Sequence, residues 1–146
     1  MKHFQNISFE DGRCVVNIST KSLNKNIKDA QFWLDSQVMT DMIPYMPSNT
    51  GTFINLTRAR SAAIAGSGTV VAAAPPMGRF LYMGKVMVDE LTESPFARPG
   101  AKKILAQPER SLTYSNPSAT PRWFETAKEK HGKQWVEGVK KRIGGK

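Results

Sequence analysis

From Thr120 to the C-terminus the chain has one strong preference, and everything before it must be arranged to suit. Phe124, Ala127, His131, Trp135, Val139 and Ile143 recur at intervals of three and four residues, the spacing that lines one face of an α-helix. Thr120 suits the N-cap, and Pro121 suits the first helical position, where its missing N–H would have no partner anyway. Gly144-Gly145-Lys146 then ends the helix as a basic tail. An apolar face of this kind has to be buried against another layer.

A second helical stripe runs through Ile27, Ala30, Leu34, Val38 and Met42, widened by Phe32 and Trp33. Asn24 fits its N-cap, and Pro44 disfavours a helical conformation at Ile43 and so stops it. Between and before these helices the signals are for strands and turns. Asp11-Gly12 reads as a turn leading into a strand over Arg13 to Ser19, with Val16 and Ile18 on one face.

Pro47, Asn49 and Gly51 mark another turn. After it Thr52 to Arg60 alternates, with Ile54 and Leu56 opposed to Phe53, Asn55 and Thr57. With Gly66-Ser67-Gly68 as a turn and Thr69 to Ala74 as a partner strand, this stretch is expected to be a hairpin with Ser61 to Ala65 near its tip. Gly78 to Val88 fits either a short helix or a buried strand, and a helical turn followed by a strand is favoured.

Residues 89–120 contain Pro95, Pro99, Pro108 and Pro117 and read as a long irregular loop, the kind that is functional or mobile. Ile104-Leu105 and Leu112 to Tyr114 are the places where it would pair with a sheet edge. With no internal repeat or separate linker, residues 1–146 are expected to form a single α+β domain. Its form is a small antiparallel sheet packed by an N-terminal-half helix and a C-terminal helix, with a long mobile loop at about 89–120.

Charge is unevenly placed. The formal net charge is +9, yet residues 1–73 hold seven Lys or Arg against five Asp or Glu, whereas residues 98–146 hold twelve against four. A basic C-terminal third favours encounter with nucleic acid, acidic protein faces or anionic membranes, and a solvated helix face would look the same. Lys128, Lys130, Lys133, Lys140, Lys141 and Arg142 lie beside Trp123, Phe124 and Trp135, so phosphate neutralisation and base stacking are both conceivable. Phe124 and Trp135 fall on the apolar stripe, however, which assigns them to the core.

Catalytic chemistry finds little to work with. Cys14, the single cysteine, can form no intrachain disulfide and reads as a buried small hydrophobe, consistent with a reducing site of folding. His131 sits on the apolar stripe and reads as a packed histidine, and His3 lies near a terminus. One cysteine and two distant histidines make no zinc pattern, and Gly66-Ser67-Gly68 lacks the lysine and helix start of a phosphate loop. Asp89, Glu90 and Glu93 read as a solvated turn. No segment has the ~20 apolar residues of a spanning helix, and no signal peptide is visible. The expectation is a non-enzyme with no catalytic residue, no cofactor, no metal site and no membrane association.

Several motifs stand in a fixed order: Ala30-Gln31-Phe32-Trp33-Leu34-Asp35, Pro44-Tyr45-Met46-Pro47-Ser48-Asn49-Thr50-Gly51-Thr52, Arg79-Phe80-Leu81-Tyr82-Met83-Gly84-Lys85, Trp123-Phe124-Glu125-Thr126-Ala127-Lys128, and Gly132-Lys133-Gln134-Trp135-Val136-Glu137-Gly138-Val139-Lys140. Together they resemble the minor capsid protein family of tailed bacteriophages, itself similar to neck and head–tail connector (tail-completion) proteins. The chain departs from that pattern at Asn49, where the family has a basic residue, and at Arg122, where it has a histidine.

The resemblance implies a virion structural protein at the head–tail interface, assembled in the host cytoplasm. It would form a homo-oligomer ring of six or twelve subunits between a portal-side adaptor or connector and a tail terminator or tail tube protein. Genomic DNA would pass through the channel without sequence specificity. The contacts with neighbours are then expected in the two irregular stretches, at Ser61, Ala63, Ile64 and Gly66 and at Pro95, Phe96, Arg98, Lys102 and Lys103. The alternative reading is a small basic nucleic-acid-binding protein.

Overall fold

The computed structural model describes residues 4–11 and 14–144, without the side chains of Asp11 and Cys14. The expectations for the Asp11-Gly12 turn, His3, the Cys14 side chain and the last two residues lie outside the described residues. In chain order the elements are β1 (Ile7–Asp11), β2 (Cys14–Ile18), α1 (Lys21–Met42) with a 3-10 turn (Ile43–Tyr45), α2 (Thr52–Ala62), α3 (Gly78–Met83), β3 (Met87–Asp89), β4 (Lys103–Leu105) and α4 (Trp123–Ile143). The class is α+β, with antiparallel strands and a long helix from each end of the chain. The strands form two separate two-stranded sheets, β1–β2 and β3–β4.

The two long helices pack together and run in opposite directions. Trp33 of α1 lies beside Gly138 of α4, Asp41 reaches Trp135, and Tyr45 just after α1 reaches His131. Gly138 is what lets the helices close: a Cβ there would sit 2.0 Å from Cη2 of Trp33. The core cluster comprises Val38, Met39, Met42 and Met46 from α1 and its turn, and Trp123, Ala127 and Trp135 from α4. The two stripes therefore face each other, buried at Ala30, Val38, Met42, Ala127 and Trp135 and half-buried at their other positions, while Phe32 is exposed. Trp123 and Trp135 anchor α4 onto α1 and the chain around Ala72, not onto a sheet.

The helix starts differ from expectation for a physical reason. Helix α1 begins three residues before Asn24, and neither Asn24 nor Thr20 caps it with a side chain. Both side chains instead hold the preceding extended chain: Asn24 accepts from Phe4 N at 3.0 Å and donates to Phe4 O at 2.8 Å, while the Thr20 hydroxyl donates to Phe4 O at 2.7 Å. Helix α4 begins at Trp123, after Arg122 at φ +51°. The Arg122 N–H is committed to Tyr82 O at 2.8 Å, which turns the chain before the helix can start.

The expected hairpin over residues 52–74 is replaced by helix α2 and an irregular return. Gly51 at φ +76° sets the turn into α2, whose first intrahelical bond runs from Asn55 N to Gly51 O at 2.9 Å. The buried positions of α2 are Thr57 and Ser61, spaced four apart from the half-buried Phe53. Two of the three are hydroxyl residues, so a search for apolar periodicity passes over this face. Thr57 is buried without cost because its Oγ1 donates to Phe53 O at 2.8 Å and accepts from Ala74 N at 3.3 Å.

The expected helical turn with its strand and the pairing of Ile104-Leu105 are present, whereas Leu112 to Tyr114 forms no strand. The stretch from Gly78 to Val88 opens with the short helix α3, and β3 follows it. Ile104 and Leu105 belong to β4, which pairs with β3 in the register Met87↔Leu105, Val88↔Ile104 and Asp89↔Lys103. Ser111 forms an isolated bridge with Lys85, next to the Leu112 N–H bond to Gly84 O at 2.9 Å. The rest of 89–120 is irregular and is tied to the core at its far end: Tyr114 Oη donates to Leu81 O, and Asn116 Nδ2 donates to Pro44 O and Met46 O.

Candidate interaction surfaces

The sequence motifs meet at one indole. Trp123 is fully buried, its Nε1 donating to Ala72 O at 2.9 Å. Tyr82 meets it edge to face at 4.8 Å between centroids, and Phe53 does so at 5.9 Å. Phe53 follows the Thr50-Gly51-Thr52 turn, Tyr82 belongs to the Arg79–Lys85 segment, and Trp123 opens α4. Tyr82 Oη also donates to Glu125 Oε2 at 2.5 Å. Burial, reinforced by that carboxylate, pushes the Tyr82 phenol well above its ordinary range, so it stays a neutral donor. Gly84 completes the junction, since a Cβ there would lie 2.7 Å from Cβ of Pro121.

Two buried aspartates organise the stretches where partner contacts are expected. Asp35, on α1, accepts from Gly66 N at 2.7 Å and Gly68 N at 3.0 Å, with Gln31 Nε2 at 2.7 Å fixing its other oxygen. It thereby clasps the loop after α2 to the side of α1. Ser61 is buried at 3 % exposure beneath that loop, whereas Ala63, Ile64 and Gly66 are exposed. Ser61 is thus a packing residue.

Asp89 is the counterpart in the second stretch. It belongs to no solvated turn: its side chain is completely enclosed, while Glu90 and Glu93 beside it are exposed. Arg98 donates to it through Nε at 3.1 Å and Nη2 at 3.2 Å and through its own backbone N–H at 3.0 Å, and Leu91 N and Thr92 N add two more bonds. The Arg98 guanidinium first, then these N–H groups, hold the Asp89 carboxyl far below the usual carboxylate range. The loop so closed carries Phe96 at its tip, 85 % exposed. Pro95 and Lys102 are exposed as well, and Lys103 spends its ammonium on Pro95 O at 2.6 Å.

Three concave regions stand out among the described residues. A cleft of about 400 Å³ lies between α1 and α2, with Asp35, Arg58 and Ser61 on its walls. A second, of about 290 Å³, is bounded by the Pro47–Phe53 turn, Leu81 and Tyr114. The third is a groove of about 460 Å³ along α1 and α4, lined by Leu34, Val38, Phe124, Trp135, Val136 and Val139 with the stems of Lys128 and Lys140. Its surface is apolar almost throughout. From sequence, Lys128, Lys140, Phe124 and Trp135 enter the nucleic-acid reading, while the other lining residues read simply as helix residues.

Basic residues Lys128, Lys130, Lys133, Lys140, Lys141 and Arg142 are all exposed on α4. The aromatics near them are otherwise engaged. Trp123 and Trp135 are buried, Trp135 donating to Asp41 Oδ2 at 2.7 Å, and Phe124 stacks on Trp135. Lys130 lies over the Tyr45 ring at 4.5 Å and Arg142 over the Trp33 ring at 3.8 Å. The α4 face offers charge for phosphates, with no free aromatic platform for bases among these residues.

His131 is half-buried with Nε2 3.3 Å from Tyr45 Oη, packed as its place on the stripe suggests. Among the described residues no group of His, Cys, Asp and Glu is placed to hold a metal ion, and no helix is long and apolar enough to cross a membrane. Comparison with known proteins identifies no relative: no family model, no curated protein and no solved structure matches the chain.

Proposed function

We propose that this chain is a structural protein of a tailed-phage virion, a ring-forming subunit of the neck between the DNA-filled head and the tail. The observation that carries the reading is the ordered set of motifs resembling phage minor capsid proteins, together with their convergence: Tyr82 and Trp123 come from two separate motifs and Phe53 directly follows a third, and the three pack as one aromatic junction. Residues that cooperate in one core form a coherent structural signature, which supports their use as a family resemblance. The surface is then left for neighbours: an apolar groove on one side, and two loops clasped by Asp35 and Asp89 on others. Such rigidly footed loops suit a subunit that meets an adaptor on one side and a tail protein on the other.

The test is made on the virion. The protein should copurify with particles at ring stoichiometry, and particles assembled without it should accumulate as separate heads and tails. Normal head–tail joining in its absence would sink the reading.

The exposed basic row of α4 favours a second reading, a nucleic-acid-binding protein held by phosphate contacts alone. Its affinity for DNA should then fall linearly on a logarithmic salt axis, with little preference for single strands because Trp123 and Trp135 are buried and the Trp33 ring lies beneath Arg142. Absence of binding at low salt removes it.

A further inference from the structure

The cleft between α1 and α2 gathers polar groups that the fold itself leaves unused. Asn55, Arg58, Ala59 and Ala62 recur at helical spacing along one face of α2 and form one wall, with Asp35 and Met39 of α1 on the other. Its volume of about 400 Å³ lies within the range of small-molecule pockets, about 300–1,000 Å³.

Asp35 is 3 % exposed, and its three donors, Gly66 N, Gly68 N and Gln31 Nε2, are all neutral. The ion pairs among the described residues are Lys85–Glu109 and Arg98–Asp89, so the Asp35 carboxylate is enclosed without a counter-charge. Enclosing a charge is costly unless an opposite charge accompanies it. A carboxylate offers about four acceptor sites. The two glycine N–H groups use those of Oδ2, and Gln31 leaves one open on Oδ1.

Two further groups in the cleft are free. Arg58 is exposed and makes no ion pair among the described residues, so its guanidinium can take a carboxylate at the mouth. Ser61 packs beneath the loop at 3 % exposure, yet its hydroxyl makes no hydrogen bond among the described residues. Ser36 and Thr40 on the facing wall spend theirs on Phe32 O and Ser36 O. No fully enclosed side-chain polar atom among the described residues lacks a partner, so the Ser61 hydroxyl opens onto the cleft.

We propose that the α1–α2 cleft binds a small zwitterion, an α-amino acid with an apolar side chain, whose ammonium is taken by Asp35 and Ser61 and whose carboxylate is taken by Arg58. The ammonium supplies the counter-charge that Asp35 lacks. Met39, Ala59 and Ala62 are the apolar surface against which the side chain lies. A simple amine would leave Arg58 unmatched, and a simple carboxylate would leave Asp35 so. The site does not depend on the neck reading.

The experiment follows the amide NMR signals of the isotope-labelled full chain during titration with L-leucine, with L-leucinamide, which lacks the carboxylate, and with N-acetyl-L-leucine, which lacks the ammonium. Leucine should shift the signals of Gly66 and Gly68, whose N–H groups rest on Asp35, with a dissociation constant of about 1 mM or tighter. Each analogue should bind about 10-fold more weakly or worse, as loss of one charge-assisted contact requires. Arg58→Gln, at an exposed position, should weaken leucine about 10-fold and abolish its advantage over leucinamide, and Ser61→Ala should weaken leucine without restoring leucinamide. Asp35 is left in place because it also holds the loop. An absence of shifts at about 10 mM leucine, analogues that bind as well as leucine, or an Arg58→Gln chain of unchanged affinity would overturn the proposal. Shifts confined to the α1–α4 groove would overturn it too. The neck role is decided separately, by the virion experiment.

Discussion

Trp123 and Asp89 show how single side chains hold this fold, and each can be tested at its own atom. Trp123→Phe keeps an aromatic ring against Tyr82 and Phe53 but strands Ala72 O without its donor. We expect a loss of about 1–3 kcal/mol, read from the urea midpoint, since an unsatisfied buried acceptor costs that much. Asp89 acts through charge. Its native-state pKa lies below the ordinary value of 3.8, so the unfolded chain binds its proton first as pH falls. Its stabilising contribution is complete above about pH 5 and is lost as pH drops through 4 toward the depressed native value. Asp89→Asn should lower stability at pH 7 and flatten the acid limb of a stability–pH profile. A variant with the same acid slope as the unmodified chain would contradict this role. Trp123 is marked in the sequence by the motif it opens, whereas the importance of Asp89 could not be read there: it looks like one acid among three, and only folding brings Arg98 and three backbone N–H groups around it.

Among the elements, legibility followed the kind of side chain that is buried. Helices α1 and α4 could be read because their buried faces are apolar and regular, and β4 because Ile104-Leu105 interrupts a polar stretch. Helix α2 could not, because Thr57 and Ser61 fill its inner face. The caps misled for a related reason, Asn24 and Thr20 having spent their side chains on Phe4. The α1–α4 crossing allows a test in which two effects oppose. Gly138→Ala should gain up to ~1 kcal/mol from helix propensity. The new methyl, however, would overlap the Trp33 ring at 2.0 Å, and Trp33 is itself confined beneath Arg142. Overpacking of a close crossing costs about 1–3 kcal/mol. The overlap should win, with net destabilisation of about 1 kcal/mol or more in urea unfolding. A stabilised Gly138→Ala variant would mean that the helices separate freely.

Over the whole molecule, the core is gathered where α1 and α4 cross, and the β1–β2 ribbon takes no part in it. The four motif-bearing regions fold into that core, while the ribbon, the groove and the Phe96 loop remain as surfaces. For this reason Phe9→Ser with Ile18→Ser should leave the thermal midpoint of the dilute chain within the range of surface substitutions, about 0.5 kcal/mol. A large drop would show that the ribbon belongs to the folding unit. The tryptophans divide along the same lines: Trp123 sits at the motif junction, Trp33 at the helix crossing, and Trp135 in the groove wall. The molecule therefore carries its own optical gauge. With Trp33 and Trp123 replaced by Phe, the remaining indole emission should shift when the groove fills and stay fixed when an event elsewhere leaves it empty, so assembly can be timed without attaching a dye.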